Sequence, residues 1–277
     1  MIKFSYRAAR FLYNYSRPIS LLFSRATVKS GDVITLRDRA TGLTFRVRRP
    51  ADQMFPETFF LKLYDLPQRR LGPGDVVLDI GANNGFFTCY AAAQGAKVFA
   101  FEPQPDTFEL LQQNIASNNL VSLVSAFPYA LGAEDGSATL HITDRLGGGM
   151  SSTQTRYVEK AKVEIKDSVE VPVRQFSSLI NSLGIDRMTM LKIDCEGAEL
   201  AILQDILDHG LDERIDYIAM EYHPEAYNME SLVSILNLFT GFDLSKPNTE
   251  MFEAENENLF LVRRGVTEQF LLSQVGD

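Results

Sequence analysis

The chain has 277 residues, of which 45% are apolar and 23% charged, with a formal net charge of −9. These proportions exclude a disordered polymer and fit a globular protein of one large domain with a small additional element. No run reaches the roughly 18 apolar residues that a membrane span needs, and two isolated cysteines give no disulfide framework, so a reduced, cytoplasmic setting is expected.

The charge is unevenly spread. Residues 1–50 carry eleven Lys and Arg against Asp32 and Asp38, a net of +9, which leaves −18 for the remainder. Within this basic arm, residues 2–22 show helical spacing, with Phe4, Ala8, Phe11, Leu12 and Tyr15 on one side and Pro18 as an interruption. The pattern suits packing on the catalytic body or on a second copy of the chain in a homo-oligomer; contact with a membrane surface is the alternative. Residues 33–36 and 43–47 alternate in polarity around a turn at 38–42 and predict a β-hairpin. A short helix is expected over 58–66, and residues 1–70 are expected to form an extension ahead of a main domain over 71–277.

The main domain opens on Val76-Val77-Leu78-Asp79-Ile80-Gly81-Ala82-Asn83-Asn84-Gly85-Phe86-Phe87-Thr88. A buried strand ends in a carboxylate and two spaced glycines, and a helix follows. A second apolar run, Val98-Phe99-Ala100-Phe101, ends at Glu102-Pro103, seventeen residues after Gly85. Glycine lets the chain turn sharply and leaves the main chain open to a ligand. A carboxylate at the next strand tip can accept the two hydroxyls of a ribose. The spacing is Gly-x-x-x-Gly and not that of a pyrophosphate loop. No Lys or Arg stands nearby in sequence, and Asp79 disfavours diphosphates. Those features suit a positively charged sulfur nucleoside, S-adenosylmethionine, with Asp79, Gly81, Gly85 and Glu102 around it.

Further along, Asp106-Thr107-Phe108-Glu109 has the form of a capping box opening a helix over 107–117. Strands are expected over 121–127, 138–142 and 169–173, the last two flanking Gly147-Gly148-Gly149-Met150-Ser151-Ser152, which has the composition of a loop over a substrate or of a plain surface loop. Helices over 176–183, 198–207 and 231–239 alternate with strands over 188–193 and 217–221, and 242–244 with 259–263 close the chain as an antiparallel pair. Alternation of this kind predicts an α/β fold with a doubly wound, mostly parallel sheet, whose ligands sit beyond the carboxyl ends of the strands. Asp79, Glu102, Asp194 and Glu221 all fall there.

The segments Asp-Ile-Gly-Ala-Asn-Asn-Gly-Phe-Phe-Thr, Phe-Glu-Pro-Gln-Pro and Leu-Lys-Ile-Asp-Cys-Glu-Gly-Ala-Glu, with Ala130-Leu131-Gly132 and Met220-Glu221-Tyr222-His223 in order, resemble the FkbM family of S-adenosylmethionine-dependent methyltransferases. The resemblance runs from about residue 75 to about residue 264. It implies a Rossmann-like sheet of seven strands and an O-methyltransferase acting on a hydroxyl of a sugar, glycan or polyketide-like small molecule. It also carries cofactor contacts onto Asn83, Asn84, Phe86, Thr88, Pro103 and Ala130.

An alcohol is a weak nucleophile, so a base or a metal should help remove its proton. Lys192 and Asp194 lie two apart on a strand and point the same way; Glu221 and His223 repeat the spacing. His223 as general base is the favoured reading, because an ordinary imidazole titrates near neutrality. The alternative is a divalent cation such as Mg2+ held between Asp194 and Glu221. Lys192 is either a counter-ion for the acids or a stabiliser of charge, and Glu199 reads as a cap on the helix that follows it. The acidic body is a poor surface for nucleic acid. The competing functions are a catalytically silent cofactor-binding subunit and a methyltransferase with a nucleic-acid acceptor.

Overall fold

The computed structural model describes residues 31–48, 54–59, 62–66, 69–143, 151–162, 164–245 and 258–265. The expected helix over 2–22 and the glycines at 147–149 lie outside them.

Strands β1 (Val33–Arg37) and β2 (Thr44–Arg48) form the expected antiparallel hairpin. Asp38 closes its turn, its Oδ2 accepting from both the amide and the hydroxyl of Thr41 at 2.7 Å. A short helix α1 (Phe55–Phe59) follows; it starts and stops earlier than the sequence pattern suggests, and residues 62–66 run on as turn and coil. The expected helix over 58–66 therefore fails. The apolar positions that suggested it, Leu63 and Leu66, are buried from an irregular segment instead.

The main sheet is built from β3 (Val76–Ile80), β4 (Lys97–Phe101) and β5 (Val124–Phe127), with helices α2 (Phe86–Ala93) and α3 (Pro105–Ser117) between them. After an excursion the chain returns as β9 (Met188–Ile193), β10 (Ile215–Glu221), β11 (Phe242–Ser245) and β12 (Asn258–Arg263). Strand order across the sheet is β11-β12-β10-β9-β3-β4-β5. Among these described strands β12 runs opposite in direction to the other six, so its pairings with β10 and β11 are antiparallel and the rest are parallel. The order reverses at β3, between β4 and β9, which is the switch point where such sheets take ligands.

The near-continuous apolar runs of the strands have a direct cause, since both faces of the sheet are covered. Val77, Val98, Met190 and Ala219 face a core shared with α2, α3 and the hairpin. Leu78, Phe99, Leu191 and Ile218 face a second core, made with α5 (Phe176–Ser182), α6 (Glu199–Asp208) and α7 (Met229–Leu236). The hairpin's Phe45 is fully buried against Phe55, Phe59 and Phe86, with ring centroids 5.1 to 5.9 Å from its own.

The excursion forms a separate sheet in which β8 (Ile165–Gln175) lies between β6 (Ala130–Gly132) and β7 (Gly136–Thr143), with α4 (Thr155–Ala161) beside it. Helix α3 departs from the expected capping box. It begins at Pro105, and the side chain of its cap residue Gln104 makes no capping bond. Proline at the first helical position replaces the box, because its missing N–H is one the helix could not pair anyway. Asp106 lies exposed in the first turn, 3.5 Å from Arg48.

Candidate active site

The glycine turn after β3 is held by geometry that only glycine satisfies. Gly81 has φ +76°, and a Cβ there would sit 1.7 Å from the carbonyl oxygen of Asp194. Its amide and that of Ala82 both donate to the Phe101 carbonyl at 3.0 Å. The turn is thereby tied to β4 on one side and crowded by β9 on the other. Asn83 adopts the left-handed conformation, φ +49°, which asparagine tolerates better than most residues. Asn84 is buried, and its carbonyl accepts from the Asn114 amide at 2.8 Å.

Asp79 does not reach the cleft. It is fully buried, its Oδ2 accepting from the Thr88 hydroxyl at 2.5 Å and its Oδ1 lying 3.2 Å from Lys192 Nζ. Parallel pairing of β3 with β9 sets Asp79 opposite Lys192. The expectation of a turn without a nearby cation is corrected here: the cation comes from 113 residues along the chain. Lys192 also lies 3.3 Å from Asp194 Oδ2, and it donates to the Gly81 carbonyl at 2.9 Å. Burial opposes its charge, but Asp194 and Asp79 outweigh that and raise its pKa. Lys192 is a buried counter-ion that locks the tips of β3 and β9 together.

Beyond the turn lies a cleft of about 670 Å³, lined from the expected set by Gly81, Asn83, Glu102, Pro103, Ala130 and Asp194. Glu102 is buried, with Oε2 accepting from the Asn83 amide at 2.9 Å and Oε1 from the Gln104 amide at 2.8 Å. Burial pushes its pKa up to about 7 in spite of those two amides, which favour the ionised form. A smaller recess of about 330 Å³ adjoins it, sharing Met54, Gly81, Asn83 and Asp194 and adding Phe86 and Lys192. Asp79, Asn84, Gly85 and Thr88 line neither space. They hold the turn from behind.

Asp194 and Glu196, which line the cleft, belong to a second set of titratable groups gathered where β9 and β10 end; His223 and Glu221 line neither space. His223 is buried; its Nδ1 lies 2.8 Å from Glu199 Oε1 and its Nε2 3.3 Å from Glu196 Oε2. The same Glu199 oxygen accepts the amides of Gly197 at 3.0 Å and Cys195 at 3.3 Å. Glu199 thus binds the loop ahead of α6 and holds the histidine, and does not cap the helix as the sequence suggests, since the N-cap position receives no side-chain bond. Tyr157 stands edge-on to the imidazole and bonds to Glu196. Glu196 is in the left-handed region, φ +56°, and the Ser152 hydroxyl donates to its carbonyl at 2.5 Å.

Burial lowers the pKa of His223, but Glu196, Glu199 and Asp194 more than reverse this and raise it well above the usual value. Glu196 is pushed up to about 8 by burial, with His223 acting the other way. The cluster therefore holds a proton at neutral pH. This corrects the expectation of a free imidazole ready to act as base, which assumed an unperturbed histidine.

Asp194 and Glu221 do converge, but through a third residue. The Tyr64 hydroxyl lies 3.2 Å from Asp194 Oδ2 and 3.3 Å from Glu221 Oε2. Burial and then Asp194 raise the pKa of Glu221 well above the carboxylate range. The acids with metal-ligand spacing are instead Asp194 and Glu196, with His223. Cys89 is buried, and burial pushes its thiol up to about 12; burial also raises the Cys195 thiol. Sequence reasoning left out Tyr64, Tyr157 and Glu196 as site residues. Glu196 was legible as part of Asp-Cys-Glu-Gly-Ala-Glu; the tyrosines come from segments with no motif.

A seven-stranded sheet in this order, with a cleft at its switch point and carboxylates at the strand tips, defines the class I methyltransferase fold. The family model described as Methyltransferase FkbM domain matches residues 79–251, and the chain belongs to that family of methyltransferases. It is similar to "Methyltransferase 1" of Beauveria bassiana, 32% identical over 60% of this chain and 70% of that one. It is also similar to "31-O-demethyl-FK506 methyltransferase FkbM" of Streptomyces tacrolimicus, 27% identical over 67% of this chain and 80% of that one. "Hexuronic acid methyltransferase AglP" of Haloferax volcanii is 28% identical over 54% of this chain and 56% of its own length. A crystal structure of an FkbM methyltransferase from Methylobacillus flagellatus superposes with a TM-score of 0.46 at 13% identity, over 76% of this chain and 54% of that one.

Proposed function

We propose that the enzyme uses S-adenosylmethionine and methylates a hydroxyl oxygen of a sugar, glycan or polyketide-like small molecule. The observation that carries the cofactor is Glu102. Its carboxylate lines the cleft at the tip of β4, and each oxygen accepts one backbone amide and keeps a lone pair for a ribose hydroxyl. The bare main chain at Gly81 allows close approach. The acidic lining suits a cationic ligand without phosphate.

When bound, the cofactor would supply a methyl group on a sulfonium for the acceptor oxygen, with the thioether as leaving group and the hydroxyl proton passing to solvent. The chain's contribution is to hold the reacting atoms in line and keep water away. Glu102, Gly81 and Asn83 position the donor, and Asp194 and Glu196 of the same cleft face the acceptor, with His223 buried beside Glu196. Support for an oxygen acceptor comes from the two relatives named for a hexuronic acid and for 31-O-demethyl-FK506.

Calorimetry with S-adenosylmethionine, S-adenosylhomocysteine and NADH tests the cofactor. Binding of the first two and not the third is expected, and the converse would end the proposal. Turnover with methyl-labelled cofactor and a panel of uronic acids and hydroxylated macrolides then tests the acceptor class.

A further inference from the structure

We propose that Asp194, Glu196 and His223 form a divalent-cation site on the cleft wall, with Glu199 orienting the imidazole from behind. Each of the three offers one ligand atom, and these atoms lie within 4.8 Å of one another. Two bonds of ~2.1 Å on opposite sides of a small cation span ~4.2 Å, a separation of the same order as the spacing of these atoms. The set of two carboxylates and one imidazole suits a first-row divalent ion such as Mn2+ better than the all-oxygen-seeking Mg2+.

Three further observations separate this from a chance gathering of acids. First, Glu196 Oε2 is a buried atom with no hydrogen bond, although the imidazole Nε2 stands 3.3 Å away. These two potential ligand atoms form a long ion-pair contact, which a cation would replace as the cluster gives up its proton. Second, the other imidazole nitrogen is committed: Nδ1 lies 2.8 Å from Glu199 Oε1 on a fully buried side chain. A carboxylate behind a histidine is the usual outer support of a metal-bound imidazole, because it fixes the tautomer and turns Nε2 outward. Third, the ligands are fixed at their backbones. His223 donates its amide to the Tyr227 hydroxyl at 2.9 Å, and Ser152 holds the Glu196 carbonyl. The strained φ of Glu196 is then the cost of aiming its side chain at the site.

Asp194 and Glu196 line the same cleft as Glu102. Three protein ligands leave positions open, and a cation there can take the acceptor's oxygen and make its proton easier to lose. This role rests on the methyl-transfer reading; the site itself does not. It differs from the Asp194–Glu221 pair expected from the sequence, because Tyr64 occupies the space between those two.

The test uses the full chain and Mn2+ alone, titrated by electron paramagnetic resonance, with S-adenosylhomocysteine binding measured by calorimetry on the same samples. One Mn2+ per chain is expected. Glu196→Gln and His223→Ala should each weaken it more than tenfold, Glu199→Gln by roughly 10–100-fold, and the exposed Asp208→Asn not at all. Thermal melts identify any variant that is unfolded, and Glu199→Gln then serves as the conservative probe. The proposal is overturned if the native chain binds no Mn2+, or if Glu221→Gln abolishes binding that Glu196→Gln leaves intact. Mn2+ failure with S-adenosylhomocysteine bound removes the cation alone. Loss of nucleoside binding with Mn2+ retained removes the cofactor reading alone.

Discussion

Glu102 is a carboxylate taken out of water and given two amides, an arrangement that leaves it half protonated near pH 7. Ribose hydroxyls donated to it would favour the ionised form, so nucleoside binding should expel its proton. The sign follows: affinity rises with pH up to about 7 and levels off above it. Calorimetry at pH 6 and pH 8 should show roughly tenfold tighter binding at the higher pH, and Glu102→Gln should flatten that dependence and weaken binding throughout. In the free protein the same raised pKa works against stability. The folded state binds a proton that the unfolded state has already lost, so this group's contribution to stability falls as pH rises from about 4.5 to about 7. Lys192 is the other residue-scale test. Replacing it by Met would strand Asp79 and Asp194 as buried charges beside the turn. A loss of about 3–5 kcal/mol in denaturant titrations is expected, the range for removing one partner of a buried ion pair.

At the scale of elements, the hairpin and helix α3 are joined by two asparagines that imitate a neighbouring strand. The Asn114 side chain accepts the Arg46 amide at 2.7 Å and donates to its carbonyl at 2.9 Å. Asn118 does the same for Thr44, at 2.9 and 2.7 Å. These bonds satisfy the edge of β2, which would otherwise present unpaired groups. Asn114 also holds the Asn84 carbonyl and so links the hairpin to the cofactor turn. Asn114→Ala should cost about 1–3 kcal/mol for each backbone group left unpaired. It should also weaken cofactor binding although the residue lies outside the cleft; thermal melts and calorimetry on one sample read both effects.

Across the whole molecule, the expected division between an extension over 1–70 and a domain over 71–277 meets a core that crosses it. Phe45, Val47, Phe55 and Leu63 belong to the same buried cluster as Val77, Phe86 and Met190. The described part of the extension should therefore melt together with the sheet. Phe45→Ala is expected to destabilise the protein by about 3–5 kcal/mol, as a single shifted calorimetric transition; a separate low-temperature transition would restore the division. Among the described residues no helix is long and apolar enough to cross a membrane.

Sequence periodicity determined most of the fold on its own. The limits expected for β9 are those observed, and the other main-sheet strands fall within three residues, because apolar runs covered on both faces contrast sharply with polar loops. The cofactor turn was legible for a similar reason: glycine spacing and a strand-tip carboxylate are local requirements written in consecutive residues. Helix limits drifted where a cap was misread, as at Pro105. The cluster of titratable groups around His223 was not legible to the same degree. Whether Asp79 faces a ligand or Lys192, whether His223 is a free base, and which acids share a site depend on strand order and on side chains brought from distant segments, Tyr64 and Tyr157 among them. Charges act through space at a few ångströms, so their pairing is decided only when the chain has folded.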